Sequence, residues 1–135
     1  EHVAHLLVEN HAEVHGEEYK LEVNWDGYQS LEDLGYVMGL CLFQDGEVIG
    51  YCITFAYPNL HSTTLMEATV DTIFIRKDKR NYRAFKTLLN ETEKRVFASG
   101  ADRILIASSE KHSIEKLLEK QDYTLTEKTY MKEAS

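Results

Sequence analysis

Six cations fall within eleven residues of this 135-residue chain: Arg76, Lys77, Lys79, Arg80, Arg83 and Lys86. They are six of its fifteen Lys and Arg, and outside that window nine positive residues face twenty-two acidic ones. Residues 70–75 before them, VDTIFI, are β-branched and aromatic, as a buried strand is. From Ala84 the period changes: Phe85, Leu88, Leu89, Thr92, Val96 and Phe97 fall at helical spacing on one face, and Gly100 stands where a helix stops. A helix start presents unpaired N–H groups and a positive dipole end, so cations at this turn build a site for a phosphate or pyrophosphate. The same charges would also serve as a solvated basic turn that offsets an acidic surface, and charge alone does not separate the two.

Two other groups of residues bear on chemistry. His2, His5, His11 and His15 lie on an opening helical stripe with Val3, Leu6, Leu7, Asn10 and Val14, stopped at Gly16. His11 and His15 are four apart, but HAEVH is not H-E-x-x-H and no third ligand is evident, so solvated helix-face histidines are expected and no metal. Cys41 and Cys52 sit in two strands joined at Asp45-Gly46, a hairpin signal. If Gln44 faces Glu47, Cys41 faces Gly50 and Cys52 faces Met38-Gly39, a diagonal geometry poor for a disulfide. Reduced thiols are expected, and no nearby His marks either as a nucleophile.

These groups must be positioned by one domain over 1–135. Net charge is −8, which argues against general nucleic-acid binding and suits a cationic partner. No apolar run approaches the roughly 20 residues of a membrane helix, and no signal-peptide pattern is seen, so a soluble, cytoplasmic protein is expected. Residues 17–23 form an acidic connector with Tyr19, Leu21 and Val23 at alternate positions. Asn24 can cap a short helix carrying Trp25, Tyr28, Leu31 and Leu34, ended by Gly35. Strands follow at 35–43 and 47–57, a loop at Pro58, and a strand over 65–75 that returns antiparallel. After the central helix come a short buried strand at 103–107, a helix at 113–120 and a closing alternating strand at 124–132. The order is α-α-β-β-β-α-β-α-β.

This order, with the basic turn, resembles the GNAT N-acetyltransferases. That family has a strand, a turn of pattern [RQ]-x-x-G-x-[GA] and a helix whose first turn holds the pyrophosphate of acetyl-CoA. Here Arg80-Asn81-Tyr82-Arg83-Ala84-Phe85 occupies that place: Arg80 matches, while Arg83 and Phe85 replace both glycines. Glycine lets backbone approach a phosphate, so Phe85 could narrow or close the site and Arg83 could add a charged donor. The tail around Asp122-Tyr123 and Tyr130-Met131-Lys132 also looks like the family's ending. The resemblance covers about 34–132, and a strand before Val3 would complete the succession. It implies an α/β (α+β) acyl-CoA N-acyltransferase fold, with a mixed, mostly antiparallel sheet flanked by helices. The strand through Ile75 and the strand at Arg103 would diverge to admit a ligand.

The resemblance also implies acetyl transfer from acetyl-CoA, as co-substrate and without metal, to a primary amine of a small cationic molecule or a protein Lys. It assigns Ile73, Phe74 and Ile75 to the pantetheine arm and Arg80, Asn81, Tyr82, Arg83, Ala84, Phe85 and Lys86 to the pyrophosphate. Asp71 and Glu67 lie on the same strand, four apart and on one face; Asp71 is expected to accept the amine proton through water and Glu67 to bind the cation. Surface or cleft-rim charges are the other reading of both. Trp25 and Tyr28 would line the acceptor cleft or else anchor the core. Many family members place a Tyr four residues before the Gly-aromatic pair; that position is Leu118 here, leaving water, Tyr123 or Tyr130 to protonate the thiolate. With the lost glycines, this keeps a catalytically weak or inactive binding module acting through protein partners as an alternative. Edge strands near the chain's end would allow a homodimer.

Overall fold

The hairpin signal at Asp45-Gly46 is realised as a two-residue turn whose φ angles, 52° and 81°, are both left-handed. It appears in a computed structural model that describes residues 3–16, 18 and 20–135. Glu1, His2, Glu17 and Tyr19, and the expectations for His2, Tyr19 and the start of the acidic connector, lie outside the described residues.

The elements are α1 (Ala4–Val14), α2 (Trp25–Asp33), β1 (Val37–Gln44), β2 (Glu47–Pro58), β3 (Met66–Ile75), a 3-10 turn (Lys77–Lys79), α3 (Tyr82–Ala98), β4 (Arg103–Ile106) and α4 (Glu115–Glu119). The sheet runs β1-β2-β3-β4; the first two pairings are antiparallel and the last parallel. This is the mixed, mostly antiparallel sheet flanked by helices that the sequence implied.

On one face α3 buries Phe85, Leu88, Leu89 and Val96 against the sheet, with Leu118 of α4 beside them. Phe97, counted on that stripe, is half-exposed. On the other face Leu6 of α1 packs against Tyr51 and Phe74, and Tyr28 of α2 stacks on Phe55 at 6.2 Å. Gly50 brings β2 close behind β3, because a Cβ there would stand 2.7 Å from the Phe74 carbonyl oxygen.

Two expectations are corrected. Gln44 does face Glu47, but Ile49 is an extra residue in β2, so Cys41 pairs with Tyr51 and Cys52 with Leu40. The cysteines are free, and burial raises both thiol pKa values. Residues 124–132 form no strand, and Leu125, Tyr130 and Met131 are 71, 88 and 85% exposed. Between Thr124 and Thr129 the segment offers only Leu125 as an apolar side chain, too little to offset the entropy of ordering it against β4.

Candidate functional site

Strand β3 has two partners over its first half and one over its second. Glu67 to Val70 pair with β4, but among the described residues Asp71 and those after it have no strand on that side. The divergence opens a cavity of about 560 Å³. Asp71, Ile73, Phe74 and Ile75 form one wall, Ile106, Ser109, His112 and Ser113 the other, and Arg80, Asn81, Tyr82 and Phe85 close its end. Backbone groups along an unpaired edge can bind an extended ligand as a further strand would.

Asp71 is the residue at which β3 changes phase. Thr72 pairs with Ile53 and Val70 with Thr54, so Asp71 is a bulge with no cross-strand partner. Its carboxylate accepts from the Thr72 hydroxyl at 3.1 Å. It also faces Tyr28: burial, and then the Asp71 charge and hydrogen bond, raise the Tyr28 phenol. Burial likewise pushes Tyr51 up to about 12, opposed by the Asn10 amide, which donates to its oxygen at 3.0 Å.

A second cavity, of about 270 Å³, lies under α1 and α2, with Leu7, Glu22, Tyr28 and Thr72 among its walls. It shares Asn10, His15 and Thr72 with the larger one. The two cavities therefore adjoin at Thr72, the residue next to the bulge.

At the closed end, Asn81 caps α3 by accepting from the Ala84 amide at 2.8 Å. The Tyr82 and Arg83 amides of the first turn have no carbonyl one turn before them within the helix. Phe85 is 6% exposed, with its ring in the core beside Ile75, Leu88 and Leu89, so it bounds the cavity without filling it. Arg80 is held on three sides. It donates to the Ile75 carbonyl from Nε and Nη2 (3.1 and 2.8 Å), to Glu13 from Nη1 and Nη2 (2.8 and 2.9 Å), and lies 5.6 Å from the Phe74 ring centre.

Of the residues expected for the pyrophosphate, Arg80, Asn81, Tyr82 and Phe85 line this cavity, whereas Arg83, Ala84 and Lys86 do not. Trp25 is half-exposed, 6.5 Å from Tyr28, and lines neither cavity. Glu67 stands apart from both. Its carboxylate accepts from Asn59 and, at 2.7 Å, from Arg103 Nε, and these hydrogen bonds hold its pKa below the ordinary value of 4.5. Leu118 is buried in the core, Tyr123 donates to Glu93 at 2.9 Å, and neither borders the cavity. Sequence reasoning missed Asn10 and Glu13 on the inner face of α1, and His112 and Ser113 in the loop after β4. Their signal was position: a polar residue on a helix stripe otherwise apolar, and a Ser/His cluster between a buried strand and a helix. Among the described residues, no group of three or more His, Cys, Asp and Glu is placed to hold a metal ion.

Structures of the same fold are numerous. The ribosomal-protein-alanine N-acetyltransferase of Brucella melitensis biovar Abortus 2308 superposes with a TM-score of 0.70 at 18% identity, covering 98% of this chain and 91% of that one. The aminoglycoside acetyltransferase meta-AAC0020 from an uncultured soil metagenomic sample gives 0.71 at 11%, covering 96 and 85%. A transcriptional regulator from Bacillus halodurans C-125 gives 0.76 at 12%, covering 96 and 91%. A search of curated protein sequences gives no match. The description of the acetyltransferase (GNAT) family matches residues 1–123. With that match over most of its length and the divergence of β3 from β4 at its centre, the chain belongs to the GNAT acetyltransferase family.

Proposed function

We propose that this protein moves the acetyl group of acetyl-CoA to the primary amine of a small cationic molecule or of a protein Lys. The observation that carries this reading is the unpaired β3 edge from Asp71 to Ile75, facing a cavity that ends at the first turn of α3. The pantetheine arm would lie along Ile73 to Ile75, with its amides paired to the strand, and the pyrophosphate would meet Arg80 and the Tyr82 amide at the start of α3. An acidic surface, Glu22 in the wall of the second cavity and Asp71 in the adjoining wall of the main one favour a cation there.

In the reaction the amine nitrogen attacks the thioester carbonyl. The ammonium first gives one proton through water to Asp71, which frees the lone pair; as the C–N bond forms and the C–S bond breaks, the nitrogen's second surplus proton passes to solvent. The departing thiolate takes a proton from solvent, since Leu118 offers none. Holding both reactants at the bulge supplies much of the rate. A cytoplasmic, single-domain enzyme, able to dimerise through its edge strands, is part of the same reading. A catalytically weak binding module is the second reading, favoured by the buried Leu118 and by an Arg80 already engaged by Glu13.

Titration calorimetry with acetyl-CoA and CoA, followed by a screen of amines and Lys peptides for acetyl transfer, tests both. Micromolar cofactor binding with turnover on a cationic amine is expected. Binding without turnover on any amine would favour the module, and no binding at millimolar ligand would sink the acetyl-CoA reading.

A further inference from the structure

Arg80 is the cation best placed to meet a phosphate at the end of the main cavity, yet four of its five N–H donors are in use. Two go to the Ile75 carbonyl and tie the guanidinium to the end of β3. The other two form a fork on both oxygens of Glu13, sixty-seven residues away on α1. Glu13 itself lines the cavity, so a carboxylate lies where the pyrophosphate of the proposed cofactor would arrive.

We propose that Glu13 competes with the cofactor's phosphate for Arg80, so that an incoming anion must displace this α1 carboxylate before it can be bound. The inference rests on the acetyl-CoA reading above. Fork geometry is what a guanidinium offers to a carboxylate or a phosphate alike, so the two anions are rivals for one pair of donors. They cannot share it, because a doubly charged diphosphate beside an ionised Glu13 would be repelled at hydrogen-bond range. The exchange stays affordable because the pair is partly solvated, with 41% of the Arg80 side chain and 26% of that of Glu13 exposed. A displaced Glu13 still has a cation near it, since the Lys77 charge also acts on its carboxylate. Asn10 and His15 flank Glu13 and line both cavities, so the exchange occurs on the helix that walls the proposed amine site as well.

The test is calorimetry on the full chain and on Glu13→Gln, with CoA, inorganic pyrophosphate and acetyl-pantetheine as separate ligands. Removing the rival charge should tighten CoA and pyrophosphate about five- to tenfold, the scale of a partly exposed charge-assisted pair. Acetyl-pantetheine carries no phosphate and should bind both proteins equally, whereas a general loosening of α1 would alter all three ligands. Glu13→Ala should change affinity in the same direction. If the wild type binds CoA and Glu13→Gln binds it equally or more weakly, Glu13 is a bystander or a support for Arg80 and the competition is refuted. If neither protein binds CoA or pyrophosphate, the competition and the acetyl-CoA reading fall together.

Discussion

Val70 and Ile73 stand three residues apart on β3 and face the same side of the sheet, both packed against the core under α3. Regular alternation would have put them on opposite sides. Asp71 absorbs the difference as the extra residue, and this places its carboxylate beside Tyr28, where the two cavities meet. Asp71→Asn should lower kcat by about 10²-fold, the usual worth of a general base, with the melting temperature nearly unchanged because the residue is exposed. Deleting Asp71 should abolish turnover yet leave the domain folded, because Val70 and Ile73 then stand two apart and regular alternation keeps both, with Ile75, on the core side. Unfolding on deletion would refute the assignment of the bulge, since removing a residue from a regular strand turns every later side chain to the other face.

Alkaline titration reports on the interior beside that bulge. Tyr51 has its pKa raised from 10.0 to about 12 when folded, so the unfolded chain releases its proton first. Stability is therefore fully present below pH 10 and falls as pH rises from 10 towards 12, by about 2 kcal/mol for this group. Tyr123, raised by burial and by Glu93, acts in the same direction. Urea unfolding of Tyr51→Phe should show a shallower alkaline decline than the wild type. An identical slope would mean that Tyr51 ionises as freely folded as unfolded.

The acid limb should carry the signature of Glu67. Its folded pKa lies below 4.5 because Asn59 and Arg103 donate to the carboxylate. That contribution is present above pH 4.5 and disappears as pH falls through the lower, folded value. Arg103→Gln should reduce the steepness of acid unfolding while leaving cofactor affinity alone, since neither residue borders the cavity. A loss of CoA binding in this variant would bring Glu67 back to the site.

Asn81 has two connected roles, and one substitution separates them. Its side chain caps α3, so Asn81→Ala should cost about 1 kcal/mol in urea unfolding. The same change removes no charge from the end of the cavity, so CoA affinity should hold despite the lower stability. A fall in affinity of tenfold or more would show that the asparagine side chain itself holds the ligand.

The fold was legible wherever a period and a stop signal coincided. Phe85, Leu88, Leu89, Thr92 and Val96 before Gly100 marked α3, and Asp45-Gly46 marked the β1–β2 turn, because both patterns are local. The two bulges were not legible: an extra residue at Ile49 or Asp71 has meaning only against a partner strand, and it is what shifted the Cys41 and Cys52 partners by one. Residues 124–132 alternate weakly, and alternation without an apolar face gave a strand where none forms. At the site, the basic turn pointed to the end of the main cavity, where Arg80, Asn81, Tyr82 and Phe85 stand. The sequence could not show Glu13 reaching Arg80 across sixty-seven residues, nor Arg103 occupying Glu67 across thirty-six, because charge pairing over such separations is set by the fold.

Gly50 lies on the far side of β3 from the open edge and borders neither cavity, yet β3 rests directly against its missing side chain. Even a methyl group there would press on the Phe74 carbonyl and move the strand towards the loop after β4. The aperture of the cleft is thus governed from behind, by a position in β2 that no ligand reaches. Changes at Gly50 would retune what the cleft admits while every residue facing the ligand stayed the same.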